Sequence, residues 1–160
     1  MPMKEIVIKY QELNHKDASS EDKLLMKSAL NIANSSYSPY SKFQVGVALL
    51  LSNTKIIVGN NQENASFPCG ICAERVALGS ARANYPNITI KKIVITAFSE
   101  NFEMDNPVGP CGLCRQVILE HEEAQKDNIE ILLFNQIKMI KIAKAKDLLP
   151  LHFNEIRLKK

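Results

Sequence analysis

The stretches Cys69-Gly70-Ile71-Cys72-Ala73-Glu74-Arg75 and Pro110-Cys111-Gly112-Leu113-Cys114-Arg115-Gln116 hold all four cysteines of this 160-residue chain, as two Cys-x-x-Cys pairs. Each pair lies where a loop hands over to a helical pattern. Thiolates one turn apart can share one ion, so two such pairs in a small chain point to a metal. Four thiolates would close a tetrahedral zinc site and leave a structural rivet. Three would keep one position open for chemistry.

Working outward from these stretches, the first pair opens a helix that carries Ala73, Val76, Ala77, Ser80 and Ala81 to about Ala83, and the second opens one running to about Glu122. Between them, Lys92 to Phe98 reads as a buried strand. Upstream, Phe43 to Leu51 and Ile56 to Asn60 flank the polar turn Ser52-Asn53-Thr54-Lys55 and read as a hairpin. Ser19 with Asp22 is a capping-box pattern, and Leu25, Ala29, Ile32 and Ala33 at helical spacing continue a helix to about Asn34. Glu5 to Tyr10 reads as an edge strand. Ile129 to Phe134 and Lys138 to Ile142 read as two further strands, with a short helical turn at Leu148-Leu149-Pro150. This alternation predicts an α/β chain, three-layer α/β/α around a central mixed five-stranded sheet. Both cysteine segments fall at strand-to-helix junctions, where open α/β sheets place their sites, and are expected beside one another at the ends of neighbouring strands.

The helix starts bear on the ligand set. Free backbone N–H groups and the helix dipole favour the thiolates of Cys72 and Cys111, and Cys114, three residues on from Cys111, faces the same side. Pro110 suits a first turn, where a missing N–H costs nothing. Glu74, two residues from Cys72, is close enough to reach the open face of such a metal without ligating it, and can carry protons between water and a substrate nitrogen. Alone, Glu74 would read as a first-turn glutamate favoured by the dipole. Arg75 would read as a solvated arginine, yet three thiolates on a dication sum to a net negative charge that a nearby guanidinium relieves.

Composition narrows the rest. Hydrophobic content of 46% and 23% charged residues are ordinary for a globular domain, and a formal charge of +3 does not argue for nucleic acid. The lysines at 138, 141, 144 and 146 and the tail Arg157-Leu158-Lys159-Lys160 read as solvated. No apolar run reaches the ~18 residues of a membrane span. Met1 to Glu5 does not look like an export signal, so reduced cysteines in the cytoplasm are expected. Only 6% of residues are aromatic, with no tryptophan, and there is no basic groove interleaved with aromatics for a polynucleotide. His15, His121 and His152 lie outside the cysteine segments.

With these residues in view, the chain resembles the zinc-dependent cytidine/deoxycytidylate deaminase family, in its small homotetrameric branch. The resemblance rests on Tyr37 to Gly46, Asn60 to Ala65, Gly70 to Arg75, Pro110 to Gln116 and Leu148 to Pro150, and covers about residues 22 to 153. It implies that Cys72, Cys111 and Cys114 bind zinc and that Glu74 shuttles protons while a zinc-activated water attacks C4 of cytidine or deoxycytidine, releasing ammonia. It implies that Asn61 and Glu63 hold the ribose, that Phe43 packs on the pyrimidine, and that Ala73 also contacts substrate. A small-molecule nucleoside, a homotetramer, pyrimidine salvage, and neither nucleic acid nor membrane as partner follow from the same likeness. Residues 1–20 extend beyond the family core, leaving 21–160 as a single deaminase domain. Leu113 stands where a small residue is usual, and Leu151-His152 departs from the pattern before Phe153, an aromatic that in the family reaches a neighbouring subunit's site. A deaminase of another cytosine-bearing compound, such as an aminoacyl-cytosine antibiotic, is a second reading. A non-catalytic zinc module in which Cys69 completes a set of four thiolates is a third, and a redox Cys-x-x-Cys protein a fourth.

Overall fold

The computed structural model describes residues 1–154 and 158. The basic tail, apart from Leu158, lies outside them. Six strands form one mixed sheet: β1 (Tyr10–Leu13), β2 (Phe43–Leu51), β3 (Ile56–Asn60), β4 (Ile90–Ser99), β5 (Glu130–Phe134) and β6 (Met139–Ile142), in the order β1-β6-β5-β4-β2-β3. Only β4 and β5 run parallel, joined by a helical crossover; every other pair is antiparallel.

Three helices cover the sheet: α1 (Ser20–Ala33) on one face, α2 (Ala73–Asn84) and α3 (Gly112–Gln125) on the other. Alternation along the strands divides the core. Ala48, Leu50, Val94 and Leu132 meet Leu25, Met26 and Ala29 of α1, whereas Val47, Leu49, Ile93, Ile95, Ile131 and Leu133 meet Ala77, Leu78 and Ile118 of α2 and α3. Burial on both faces explains why β2 and β4 read as continuous apolar runs. The three-layer architecture is the expected one.

The sheet has six strands, not five. The edge strand expected at Glu5 to Tyr10 forms instead at Tyr10–Leu13, paired with β6, and residues 1–9 carry no strand. Leu13 supplies the reason: it packs against the α1-side core, and anchoring that residue sets the register of the short strand. Local β-propensity marks Ile6 to Ile8 but cannot identify their partner.

Several polar devices hold the frame. Ser19 caps α1, its Oγ accepting from the Asp22 N–H at 3.0 Å while the Asp22 carboxylate accepts from the Ser19 N–H at 3.4 Å. The same Asp22 carboxylate is buried against Lys92 of β4 at 2.5 Å and Lys141 of β6 at 3.2 Å; Lys92 also meets Glu21 and Glu130, each at 3.0 Å. Burial pushes the Asp22 pKa up, but hydrogen bonds from Lys92, Ser19 and Lys141 outweigh it and hold the group down at about 2. Glu122 of α3 is buried and accepts three backbone N–H groups, from Ile129 at 2.8 Å, Ala145 at 2.6 Å and Lys146 at 2.9 Å. One carboxylate thereby ties α3 to the start of β5 and to the 3-10 turn Ala145–Leu148.

Candidate metal centre and active site

Antiparallel pairing puts the start of β2 level with the ends of β3 and β4: Gly46 faces Asn60, and Phe43 faces Ser99. The chain leaves β3 toward α2 and β4 toward α3 from this end. The two cysteine loops therefore depart from strands that flank β2, a correction to the expectation of directly neighbouring strands.

Cys72 is the N-cap of α2 and Cys111 the N-cap of α3, both with extended backbone (ψ 151° and 169°) and neither side chain capping its helix. A thiol is a poor substitute for the Ser, Thr, Asp or Asn usual at this position, and here it stays free to ligate. The Cys72 and Cys111 sulfurs lie 3.9 Å apart and those of Cys111 and Cys114 3.4 Å, with all three within 4.8 Å of one another. Three sulfurs at about 2.3 Å from a tetrahedral zinc stand about 3.8 Å from each other. The donor set thus fits zinc in both chemistry and spacing. Among the described residues these are the only three His, Cys, Asp or Glu side chains so gathered. Cys69 is exposed at the end of the 3-10 turn Phe67–Cys69 and is not among them.

A hydrogen bond with Cys114 draws the Cys72 thiol down to about 6, and the same contact, followed by burial, pushes Cys114 up. Glu74, in the first turn of α2, is only 5% exposed. Burial raises its pKa above the ordinary glutamate value. Arg75 is half-buried and its charge contributes to lowering Cys72. The helix that carries these groups sits tight on the sheet at Gly59, where an added Cβ would lie 2.6 Å from the Ala77 nitrogen and 2.7 Å from the Ala73 oxygen.

The polar loop is also in place. The Asn61 amide donates to the Phe43 carbonyl at 2.9 Å and accepts from the Val45 N–H at 2.8 Å, so it pins the start of β2 and keeps one N–H and one lone pair to spare. Glu63 Oε2 accepts from the N–H groups of Tyr40 at 2.9 Å and Ser41 at 3.3 Å. Burial raises the Glu63 pKa, but hydrogen bonds from Ser41 and Tyr40 and the charge of Lys42 carry the net value below the usual one. Phe43 stacks on Phe102, with ring centroids 6.2 Å apart and planes at 22°. Ala73 is fully buried and belongs to the core under α2.

Sequence reading missed Phe102, an isolated aromatic in the loop after β4 with nothing in its surroundings to mark it. It included Arg115 in the second cysteine stretch but gave it no role; its Nε donates to the Pro110 carbonyl at 2.8 Å and its Nη1 to the Leu148 carbonyl at 3.1 Å. That arginine fixes the backbone entering Cys111, and its place beside the second cysteine pair was the available signal. Leu113 is exposed, as is Phe153, whose carbonyl accepts from Gln116 at 3.2 Å. The histidines stay apart from the cysteines: His15 lies edge-on to Phe134, His121 is half-buried, and His152 bridges the Leu149 carbonyl and Glu123.

This arrangement has relatives. The profile of the cytidine and deoxycytidylate deaminase zinc-binding region matches residues 19–126. A cytidine deaminase of Halalkalibacterium halodurans is 40% identical over 97 residues, which span 61% of this chain and 69% of the relative. One of Mycoplasma pneumoniae is 37% identical over 90 residues, 56% of this chain and 63% of the relative. The solved cytidine deaminase of Burkholderia pseudomallei superimposes with a TM-score of 0.70 at 36% identity, covering 82% of this chain and 98% of that one. The profile spans the thiolate triad, Glu74 and the polar loop together, and this chain, an enzyme with a zinc site, belongs to the cytidine and deoxycytidylate deaminase family.

Proposed function

We propose that the chain hydrolyses the 4-amino group of cytidine and deoxycytidine, giving uridine and deoxyuridine with release of ammonia. The observation that carries this reading is the convergence of three thiols on one point with the buried carboxylate of Glu74 in the same helical turn as Cys72. Zinc held by Cys72, Cys111 and Cys114 supplies a Lewis acid able to bring the pKa of water to about 7.

The remaining work falls to the chain. In the overall change, an oxygen from water bonds to C4, the C4–N4 bond breaks, and two protons travel from the water to the substrate. Glu74, in the first turn of α2 after Cys72, would move both, first to N3 and then to the departing amine. Its burial excludes competing water and keeps the carboxylate in one position. The spare N–H of Asn61 and the carboxylate of Glu63 suit vicinal hydroxyls, since a sugar diol needs both a donor and an acceptor. The Phe43 ring, backed by Phe102, offers a flat apolar wall for a pyrimidine. Ala73, next to Glu74 in the first turn of α2, is the further substrate contact that the family likeness implies, and Arg75 offsets the negative charge of three thiolates.

The partner is then a small nucleoside, with a cytoplasmic role in pyrimidine salvage and assembly as a homotetramer. Residues 1–20 are then an extension and 21–160 the deaminase domain, a division compatible with a profile match that leaves residues 1–18 outside it. No helix among the described residues is long and apolar enough to cross a membrane. The retained Asn61 and Glu63 favour a free nucleoside over another cytosine-bearing compound. Exposed Cys69, outside the triad, counts against the four-thiolate module.

The test offers zinc-loaded protein cytidine, deoxycytidine, CMP, adenosine and a cytosine-bearing antibiotic, and follows ammonia. Turnover of the two nucleosides, lost in Glu74→Ala, is expected. No turnover of any cytosine compound by metal-replete protein would refute the reading.

A further inference from the structure

Residues before β1 are unused by the site and unexplained by the fold. Met1, Met3, Ile6, Val7, Ile8 and Tyr10 are all exposed, and the backbone from 1 to 9 belongs to no strand. The segment nevertheless has the composition of a strand, and it runs directly into β1, which is an edge of the sheet. An exposed β-branched run continuing an edge strand is a template for pairing with another chain.

The sequence of this run names the other chain. Lys4-Glu5-Ile6-Val7-Ile8-Lys9-Tyr10 is self-complementary when laid antiparallel against itself about Val7. Glu5 then faces Lys9 of the second copy and Lys9 faces its Glu5. Ile6 faces Ile8, Val7 faces Val7, and Lys4 faces Tyr10. Centring the pairing on Ile6 instead sets Glu5 opposite Val7, and centring it on Ile8 sets Val7 opposite Lys9; both place a charge against an apolar residue. Opposite-charge and β-branched cross-strand pairs each stabilise a ribbon, whereas mismatched ones do not. The pairing also respects the faces of the sheet. A twofold axis perpendicular to a continuous sheet joins only residues of the same face, and residues 5, 7 and 9 alternate with 6 and 8 accordingly.

We infer that residues 4–10 form an antiparallel ribbon with the same segment of a second copy of this chain, centred on Val7, extending β1 of each copy across a twofold axis. The contact is independent of the site and of whatever faces build a tetramer. It makes the extension an assembly element that joins subunits edge to edge.

Cysteine trapping tests the register. In a Cys69→Ser background with zinc bound, Val7→Cys places two thiols directly opposite, within the Cα range of about 4.4–6.8 Å that a disulfide spans. Met3→Cys is the control: in the ribbon its two copies stand eight residues apart, about 27 Å at ~3.4 Å per residue. Met3 is 91% exposed and Val7 72%, so random collision would favour the control. On mild oxidation, the Val7→Cys dimer on a denaturing gel is expected to form about tenfold or more faster than the Met3→Cys dimer. Added to Val7→Cys, Glu5→Lys or Lys9→Glu alone should slow trapping, and a mixture of the two should restore it by forming the mixed pair. Equal trapping at Met3 and Val7 would overturn the proposal, as would a mixture no faster than either charge variant alone. Deamination by the Val7→Cys protein should be unchanged before oxidation.

Discussion

Gly59→Ala is a one-carbon change in a strand, yet it should damage the zinc site. The new Cβ would stand 2.6 Å from the Ala77 nitrogen and 2.7 Å from the Ala73 oxygen, both backbone atoms of α2. Ordinary contact starts at 3.4 Å, so α2 must retreat by about 0.8 Å, the difference between 3.4 and 2.6 Å. A helix backbone cannot yield locally as a flexible side chain does. The retreat therefore carries Cys72 and Glu74 with it, while Cys111 and Cys114 stay on α3, held by Arg115 and Glu122. Overpacking of this kind costs about 1–3 kcal/mol. For a chain of this size that corresponds to roughly 2–12 °C in Tm. A displacement near 1 Å at reacting groups costs about 100-fold in rate. The assays are zinc affinity by chelator competition, Tm by circular dichroism, and kcat with cytidine. Gly59→Ala protein with wild-type zinc affinity and kcat would show that the close approach at Gly59 does not position the site. Loss of Tm alone, with the site intact, would show that the helix tilts about its first turn instead of retreating.

Other perturbations separate the parts. Glu74→Gln preserves shape and removes the proton carrier, so kcat should fall by about 10²–10⁴ while zinc content, measured by metal analysis, stays near one per chain. Cys69→Ser should keep its zinc and Cys114→Ser should lose it, read by the same metal analysis; the opposite result would restore the four-thiolate site. Asp22→Asn removes one carboxylate from Lys92 and Lys141, which keep Glu130 and, for Lys92, Glu21, and should cost about 1.5–3 kcal/mol in denaturant unfolding. Because the folded Asp22 pKa is depressed from 3.8 to about 2, its contribution is fully present above about pH 4 and is lost as pH falls through 2. Acid unfolding of the wild type should therefore show a slope in that window that Asp22→Asn lacks.

The elements that local chemistry determines were legible in advance. The β2–β3 hairpin has the expected bounds, and the Ser19–Asp22 capping box formed as its spacing required. Helix α3 runs three residues past the expected Glu122, to Gln125, and stops where Lys126 adopts the left-handed conformation (φ 57°), a position no glycine marks. The location of β1 was not legible, because its partner β6 lies far along the chain and the decisive residue, Leu13, is a single apolar side chain after a polar run. Within the site, the gathering of the three thiols could be read because Cys72 and Cys111 lie at helix starts with Cys114 one turn on. The double hydrogen bond of Asn61 to β2 could not, since it depends on where strand β2 begins in space. Gly46 and Gly59 show the same limit: each is an ordinary strand residue in sequence, and only the packed helix gives it a reason to lack a side chain.

The thiol triad also has a topological consequence. Cys72 and Cys111 are 39 residues apart along the chain and belong to connections on opposite sides of β2. An ion bound to both closes that stretch into a loop, and closing a loop of this length in an unfolded chain withdraws about 4 kcal/mol of conformational entropy by the relation used for disulfides. In the reducing cytoplasm proposed for this chain, a disulfide is not available for that purpose. The ion that opens the way to chemistry at C4 would then also act as this chain's only covalent-like cross-link among the described residues, so that losing it weakens the fold and the reaction together.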